Sequence, residues 1–189
     1  MDHAKSKQEA AEWAQTVLAM STAVIMDFET TGIKDAEIVQ IGIINMKGET
    51  LMQTLVKPTK RIELGAFGVH GISNEQVKDA PDFKDLYARF SGVIAGQTVI
   101  AYNVDFEKSI LKGVCARRKI PQPRVKAWQC AMKEYARFYG KYHATRRSYI
   151  WQSLSNACSQ QNILVKAAHD AIGDCLLTLE VIRKMANST

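Results

Sequence analysis

The stretch Thr22-Ala23-Val24-Ile25-Met26-Asp27-Phe28-Glu29-Thr30-Thr31-Gly32 changes from apolar to acidic along its length. Residues 22–28 form an apolar, β-rich run, which predicts a buried strand with the first acids at its end. Side chains two apart in a strand share a face, so Asp27 and Glu29 would point one way and Phe28 the other. Acids at the end of an apolar strand cost stability unless bound cations compensate their charge. The stretch therefore predicts two metal ligands, and the alternative is two solvated acids before a turn.

The segments around this strand predict an α/β domain with a mixed sheet. Further strands are expected at residues 38–46, 50–56, 98–102 and 125–128. Helices are expected at residues 6–20, 81–95, 104–119, 131–139, 148–160 and 170–185. Residues 58–71 predict a loop, and Ser73 has the capping-box spacing to Gln76 that starts a helix. A strand meander followed by alternating strands and helices gives one domain at residues 22–189, preceded by a helix or extension at residues 1–21.

Two more acidic segments lie far from the first along the chain. They are Asn103-Val104-Asp105-Phe106-Glu107 and His169-Asp170-Ala171-Ile172-Gly173-Asp174, and each lies where a helix is expected to begin. A histidine is easily tuned to take a proton from water near neutral pH, and Asp174 adds a hard oxygen ligand suited to Mg²⁺ or Mn²⁺. If folding joins the segments, they have the chemistry of metal-assisted phosphodiester hydrolysis. Taken alone, a histidine in a loop is more often structural.

Positive charge is concentrated between residues 112 and 147. This segment holds eleven lysines and arginines against one acid, Glu134, so its net charge is +10 in a chain of net charge +6. Aromatic residues in it or just beyond it are Trp128, Tyr135, Phe138, Tyr139, Tyr142, Tyr149 and Trp151. Cations that hold phosphates, beside rings on which bases stack, are what a groove for single-stranded nucleic acid requires. A solvated helix face with core aromatics explains the segment equally well.

The composition is that of a globular protein. Hydrophobic residues make up 47% of the chain and charged residues 23%, and no apolar run approaches the roughly 18–20 residues of a membrane span. The four cysteines lack C-x-x-C spacing and lie in apolar contexts, which indicates reduced core thiols rather than disulfides or a zinc site. We therefore expect a cytoplasmic protein.

Taken together, the three acidic segments resemble those of the DEDDh exonucleases, the DnaQ-like group that includes polymerase proofreading subunits, ribonuclease T and oligoribonuclease. Residues 27–32 match the D-x-E-T-T-G-like first motif, and residues 169–174 match H-x-A-x-x-D in full. Residues 69–73, Val-His-Gly-Ile-Ser, match the H-G-I-[T/S] segment near the substrate strand. The resemblance extends over about residues 24–182, and the joint match in order and spacing is specific. It implies a ribonuclease-H-like fold with a five-stranded mixed sheet flanked by helices.

The second segment departs from the family pattern N-x-x-F-D. Asn103 and Phe106 fix the frame and place Glu107 at the position that usually holds Asp. Glu binds hard cations but reaches one methylene further, which would reduce activity or favour Mn²⁺. Asp105 is the rival ligand, although two residues apart on a helix it would point nearly opposite to Glu107. Cys130 is a second departure, at a position where relatives often carry a supporting Asp.

The resemblance implies a metal-dependent 3′-to-5′ exonuclease that releases nucleoside monophosphates from single-stranded DNA or RNA ends by two-metal-ion hydrolysis. It implies two Mg²⁺ or Mn²⁺ ions held by Asp27, Glu29, Glu107 and Asp174, His169 as the base, and substrate contacts from Thr30, Thr31, His70 and Asn103. The choice between DNA and RNA stays open. A homodimer and a complex with a polymerase or another partner also stay open.

Two other classes of function fit parts of the sequence. A nucleic-acid-binding module of the same fold with weakened catalysis is consistent with Glu107 and with the basic aromatic segment. A metal phosphohydrolase acting on small nucleotides would also use carboxylates and a histidine, but it would leave the basic segment without a purpose.

Overall fold

The computed structural model describes residues 3–165 and 169–188 and places the acidic strand in the middle of a five-stranded sheet. The strands are β1 (Ala23–Thr30), β2 (Ile38–Asn45), β3 (Thr50–Leu55), β4 (Thr98–Ala101) and β5 (Ala127–Cys130), in the order β3-β2-β1-β4-β5. β2 pairs antiparallel with β1 and β3, whereas β4 pairs parallel with β1 and β5. The predicted mixed sheet is confirmed. Because β1 and β4 run parallel, both deliver their acidic segments to the same edge of the sheet.

Helices surround this sheet. They are α1 (His3–Leu18), α2 (Leu64–His70), α3 (Asn74–Val77), α4 (Phe83–Ile94), α5 (Val104–Arg118), α6 (Ala131–Tyr139), α7 (Leu154–Gln160) and α8 (Ala171–Ala186). A short antiparallel hairpin of β6 (Tyr142–His143) and β7 (Ser148–Tyr149) connects α6 to α7. Within residues 3–165 and 169–188, no helix has the length and apolar character that crossing a membrane requires.

The alternation of side chains in β1 divides the apolar core between the two faces of the sheet. Ile25 packs in a cluster with α1, α6, α7 and α8, whereas Met26 and Phe28 pack in a second cluster with α4 and α5. Burying an apolar side chain of this size stabilises a fold by roughly 1.5–3 kcal/mol. Asp27 and Glu29 have the parity of Ile25, so they lie on the face that α8 covers.

The N-terminal helix α1 is packed into the first of these clusters. Ala10, Ala14 and Val17 are buried there, and α1 contacts both α6 and α8. The boundary predicted between an extension at residues 1–21 and a domain at residues 22–189 stays a prediction.

The loop predicted at residues 58–71 is wrong, because α2 occupies part of it. α2 contains two glycines and buries none of its residues, so neither helix propensity nor apolar periodicity indicated it. It ends at Gly71, which adopts a left-handed conformation (φ 69°) and donates its N–H to the Phe67 carbonyl. Ser73 then starts α3 with the predicted capping box to Gln76, which is confirmed.

The helix predicted at residues 148–160 is wrong in its first part. Residues 148 and 149 form β7, and α7 begins only at Leu154, where the Ser153 side chain accepts the Asn156 N–H. In the hairpin turn Arg147 adopts a left-handed backbone conformation (φ 48°), which is uncommon for a residue with a Cβ. Because no glycine or asparagine marks this turn, the sequence did not predict the hairpin. β5 also begins two residues later than the predicted strand at 125–128.

Candidate active site

Carboxylates from the first and third acidic segments meet at the end of β1. One oxygen each of Asp27, Glu29 and Asp174 lies within 4.8 Å of the other two. Asp27 and Glu29 share a face of the strand, as the alternation predicts, while Phe28 packs on the opposite face near Phe90. Asp174 comes from the first turn of α8. Segments nearly 150 residues apart in the sequence are thus joined in one cluster.

Two residues of β2 fix the first turn of α8 against the sheet, and both lie directly opposite the acids of β1. A Cβ added to Gly42 would lie 2.5 Å from the carbonyl carbon of Ala171, so a glycine allows the helix to approach this closely. The Gln40 amide donates to Asp170 Oδ1 at 2.7 Å and accepts the Ala171 N–H at 3.0 Å. Asp170 also caps α8 by accepting the Gly173 N–H, which confirms the predicted N-cap. These contacts determine where α8 presents its acid.

Glu107, and not Asp105, is the acid of the second segment that approaches the cluster. Glu107 lies in the first turn of α5, is 4% exposed and accepts the Phe28 backbone N–H. Its Oε2 is buried without a hydrogen-bond partner among the described residues. The Asp105 carboxylate is 60% exposed and pairs with Lys133 at 2.6 Å. Glu107 lies outside the set of oxygens within 4.8 Å, but its charge repels that of Asp27.

Burial and mutual repulsion raise the pKa of each carboxyl in the cluster. Burial raises the pKa of Glu29 to about 7, and the two acids of the third segment add to this shift. The pKa values of Asp27 and Glu107 lie well above the usual range, because of burial first and the neighbouring carboxylates second. Burial also raises the pKa of Asp174, although the charge of His169 and its backbone N–H oppose the shift. Ionising this cluster near neutral pH therefore requires compensating positive charge.

The donor set fits divalent cations. Among the ion pairs of the described residues, none involves Asp27, Glu29, Glu107 or Asp174. The four carboxylates therefore have no ion-pair partner among the described residues, and one buried oxygen of Glu107 is without a hydrogen bond. Clustered carboxylate oxygens are the ligands that Mg²⁺ and Mn²⁺ prefer in proteins.

Two histidines of different character lie near the acids. His169 is exposed and precedes Asp170, the N-cap of α8, and its backbone N–H donates to Asp174. No hydrogen bond among the described residues uses its ring. The His70 ring is engaged on both sides, because Nδ1 accepts the Ile72 N–H and Nε2 then donates to the Thr30 carbonyl at 3.1 Å. Burial lowers the pKa of His70, and the charge of His169 adds to this. Of the two rings, that of His169 is the one with nitrogens available for proton transfer.

A cleft of about 210 Å³ opens beside Glu29. One wall is the end of β1, and another is α2, the helix that the sequence did not indicate. Ile33 and Val69 line this cleft and are largely exposed, at 84% and 53%. Further lining residues are Thr30, Glu63, His70 and Phe106. The cleft therefore combines an acidic end with apolar walls.

The remaining residues predicted to contact a substrate differ in accessibility. Thr30 lines the cleft, but its hydroxyl donates to the Gly32 carbonyl at 2.7 Å. Thr31 is buried, with its hydroxyl and its backbone N–H both bonded to Glu37. Asn103 precedes α5 as predicted, but its side chain makes no capping bond and is partly exposed. Substrate contacts by these residues stay predictions.

The basic segment 112–147 divides into a structural part and an exposed part. Arg117 and Arg118 each lie 3.1 Å from the buried Glu37 carboxylate, so they stabilise the fold. Tyr135 and Phe138 are buried in the core. Exposed aromatic side chains in and beside the segment are those of Tyr139, Tyr142 and Trp151. The structural interpretation therefore describes part of the segment, and nucleic-acid binding by the exposed part stays a prediction.

Known proteins are similar in sequence to this chain over most of its length. The profile of the RNase T exonuclease family matches residues 24–182. An uncharacterized exonuclease of Escherichia phage 186, CP81, is 30% identical over 191 residues, covering 97% of this chain and 95% of the phage protein. The DNA polymerase III subunit epsilon of Salmonella typhimurium is 25% identical over 180 residues, covering 88% of this chain and 72% of the subunit.

Solved structures agree on the fold. Exonuclease X, in complex with 5′ overhanging duplex DNA, has a TM-score of 0.63 at 25% identity, covering 88% of this chain and 92% of that one. The nuclease domain of 3′hExo, described as a DEDDh family member and bound to rAMP, has a TM-score of 0.70 at 17% identity with the same coverage. The predicted ribonuclease-H-like fold is confirmed by these neighbours. With the family profile, the phage relative and the joined acidic segments in agreement, this chain belongs to the DEDDh (DnaQ-like, ribonuclease T-like) exonuclease family.

Proposed function

We propose that this protein is a metal-dependent 3′-to-5′ exonuclease that releases nucleoside monophosphates from single-stranded DNA or RNA ends. The observation that carries the proposal is the cluster of Asp27, Glu29 and Asp174 oxygens, which lie within 4.8 Å of one another. Near them is the buried carboxylate of Glu107, one oxygen of which has no hydrogen-bond partner among the described residues. When bound by these four carboxylates, two Mg²⁺ or Mn²⁺ ions would supply an activated water and stabilise the leaving oxygen.

His169 would accept the proton of the attacking water. Its ring is exposed and makes no hydrogen bond among the described residues, and its backbone N–H holds this residue beside the Asp174 carboxylate. His70 is unsuited to this role, because its Nδ1 accepts a backbone N–H and its Nε2–H is directed at Thr30. We assign His70 to the wall of the cleft, where it supports the end of β1.

The cleft beside Glu29 would hold the terminal nucleotide. The base would pack against the exposed side chains of Ile33 and Val69, and the Asn103 side chain would contact the adjacent phosphodiester. A hydrogen bond from the terminal 3′ hydroxyl to Glu29 would favour chain ends over internal bonds, since only an end carries that hydroxyl. Thr30 would face the sugar from the floor of the cleft.

The test is hydrolysis of 5′-labelled single-stranded oligonucleotides with Mg²⁺ or Mn²⁺, using ribo and deoxyribo versions of one sequence. We expect products that shorten from the 3′ end with release of monophosphates, and no hydrolysis with chelator or with Asp27→Ala. Asp105→Asn is the matched control, because it removes an exposed acid near the site and should keep activity. Early release of the labelled 5′ nucleotide would contradict the direction, and binding without Asp27-dependent hydrolysis would contradict the enzyme.

A nucleic-acid-binding module with weak catalysis is the second candidate function. One observation favours it, namely Glu107 at the position where the family pattern has Asp. The same assay separates the two, since this candidate requires tight oligonucleotide binding with turnover that neither Mg²⁺ nor Mn²⁺ accelerates.

The proposal extends to partners and location. Similarity to a polymerase III epsilon subunit supports action within a larger complex, and light scattering of the purified 21.1 kDa chain would reveal a homodimer by a doubled mass. A reducing, cytoplasmic location is supported by the four cysteines, which are all buried and unpaired.

A further inference from the structure

A surface rich in cations and exposed rings lies outside the cleft, on the hairpin that the sequence did not predict. This hairpin surface consists of Tyr139, Lys141, Tyr142, Arg146, Arg147 and Trp151. The sequence contains no Asp or Glu from residue 135 to residue 169. Among the ion pairs of the described residues, none involves the three cations of this surface. The hairpin surface is therefore positive without internal compensation.

Three aromatic rings of the hairpin surface are exposed. Trp151 is 60% exposed, and Tyr139 and Tyr142 are also exposed. Trp151 lines two neighbouring clefts of about 440 and 380 Å³, the first together with Arg147 and the second together with Arg146. An exposed ring that shares its clefts with arginines offers a stacking face near sites for phosphate.

The hairpin surface is connected to the edge of the sheet that carries the acids. Tyr102, directly after β4, donates its hydroxyl to the carbonyl of Gln152, the residue that follows Trp151. Lys133 lines the larger cleft with Trp151 and pairs with Asp105 in the first turn of α5, the helix turn that also carries Glu107. Side-chain contacts of Tyr102 and Lys133 thus join the hairpin surface to the segments that follow β4 and begin α5.

We propose that the hairpin surface binds the single-stranded nucleic acid that precedes the terminal nucleotide, with a base stacked on Trp151 and phosphates held by Arg146 and Arg147. The inference rests on the proposed function, because it assumes that the 3′ end occupies the cleft beside Glu29. Repeating bases and phosphates match alternating rings and cations, whereas a protein partner would need complementary acids and a broader apolar patch. The surface therefore determines affinity for long strands and not the chemical step.

The experiment compares Trp151→Ala and the double variant Arg146→Ala/Arg147→Ala with wild type. Lys84→Ala/Arg89→Ala is the matched control, because it removes the same charge from exposed positions of α4, on the opposite face of the sheet. Binding is measured by fluorescence anisotropy in an Asp27→Ala background, with a strand of about 20 nucleotides and with a trinucleotide. Melting temperatures check that these exposed substitutions leave the fold intact.

We expect each hairpin variant to lose about fivefold or more in affinity for the long strand and little for the trinucleotide. The arginine variant should also lower the slope of log K against log salt by roughly 1.4, as two lost phosphate contacts require. With Asp27 present, KM for the long strand should rise while kcat stays unchanged. Wild-type affinity in both variants would overturn the inference even if hydrolysis is normal. Hairpin-dependent binding without wild-type hydrolysis would instead overturn the proposed function.

Discussion

Glu107 is the candidate metal ligand at which this chain departs from the family pattern. One of its oxygens accepts the Phe28 N–H, and the other is buried without a partner. The additional methylene moves the carboxylate further from the α5 backbone than an Asp would reach. We therefore expect this position to affect both the charge of the cluster and the spacing of its carboxylate oxygens.

Substitutions at Glu107 should separate these two effects. Glu107→Gln removes the charge and should lower kcat by roughly 10²–10³, as the loss of one strong electrostatic contact does elsewhere. Glu107→Asp keeps the charge and shortens the reach, so it should raise the ratio of Mg²⁺-supported to Mn²⁺-supported activity. Steady-state rates with each metal provide the measurement. An unchanged metal ratio in Glu107→Asp would show that the additional methylene is irrelevant.

The raised pKa of Glu29 predicts how stability depends on pH in the presence of a chelator. Its folded pKa of about 7 exceeds the ordinary value of 4.5, so the folded state holds the extra proton and stability falls as pH rises through this window. The pKa of His70 is lowered in the folded state, so its contribution makes stability rise with pH below the ordinary histidine pKa of 6.5. The comparison is therefore made above this range, from pH 6.5 to about 8. The melting temperature should be higher at the lower pH.

Glu29→Gln should reduce this pH dependence, because the amide cannot ionise. Glu12→Gln, an exposed acid on α1, should leave the dependence unchanged and serves as the control. A melting temperature that rises from pH 6.5 to about 8 in chelated wild type would contradict the raised pKa of Glu29.

At the scale of elements, the contact between β2 and α8 places the third acidic segment. Gly42 allows the Ala171 backbone to approach, and Gln40 bonds both Asp170 and Ala171. Neither residue belongs to the family motifs quoted from the sequence. A glycine inside an apolar strand is, however, a signal for close backbone approach, so Gly42 could have been found from the sequence.

Gln40→Leu should therefore weaken the site without touching a ligand. Loss of both hydrogen bonds lets the start of α8 move, and we expect a roughly 10–100-fold fall in apparent metal affinity or activity, the range seen when residues that orient metal ligands are replaced. Metal titration of activity, with circular dichroism as a check of the fold, makes the measurement. Gln53→Leu, an exposed glutamine on the adjacent strand, is the control and should behave as wild type.

A second element contact fixes the segment that follows β1. Glu37 is 1% exposed, accepts the Thr59 backbone N–H at 2.6 Å and lies 3.1 Å from Arg118. Arg118 also pairs with Asp82, the N-cap of α4. The network thus ties the chain leaving the acidic strand to α4 and α5.

Arg118→Leu should destabilise the protein by about 3–5 kcal/mol, because it leaves Glu37 buried with part of its charge uncompensated. Urea denaturation followed by circular dichroism measures the effect. Arg124→Leu, an exposed arginine in the same basic segment, should change stability by less than about 0.5 kcal/mol. Equal midpoints for the two variants would contradict a structural role for Arg118.

At the scale of the whole molecule, the site joins the sheet to helices on both of its faces. Its acids come from β1, from α5 and from α8, which pack in different apolar clusters. A cation bound between them would connect these layers in the folded state only. Ligands that bind the folded state alone raise its stability in proportion to the logarithm of their concentration.

Mg²⁺ or Mn²⁺ should therefore raise the melting temperature of the wild-type protein near pH 8, with Mn²⁺ effective at lower concentration. The increase should disappear in Asp27→Ala, where a central ligand is lost, and should persist in Asp105→Asn. Differential scanning fluorimetry over a metal titration provides the measurement. A metal-induced shift that survives Asp27→Ala would place the cations elsewhere on the protein.

The sequence by itself determined the strands, most helices, the mixed sheet and the acids that lie on one face of β1. These features follow from local rules, since side chains alternate along a strand and helices begin at capping residues such as Ser73 and Asp170. It also ranked Glu107 above Asp105, because Asn103 and Phe106 place Glu107 at the acidic position of the family pattern and Asp105 would point nearly opposite on the helix.

Only the tertiary structure decided which charges are paired and which surfaces are open. Arg117 and Arg118 form ion pairs with a buried acid, and both ring nitrogens of His70 form hydrogen bonds with the backbone. The positive charge of the hairpin surface has no ion-pair partner among the described residues. The tertiary structure also formed α2, which buries no residue, and placed it beside the cleft. These outcomes depend on contacts between residues distant in the chain, and propensity or periodicity within a segment carries no information about such partners.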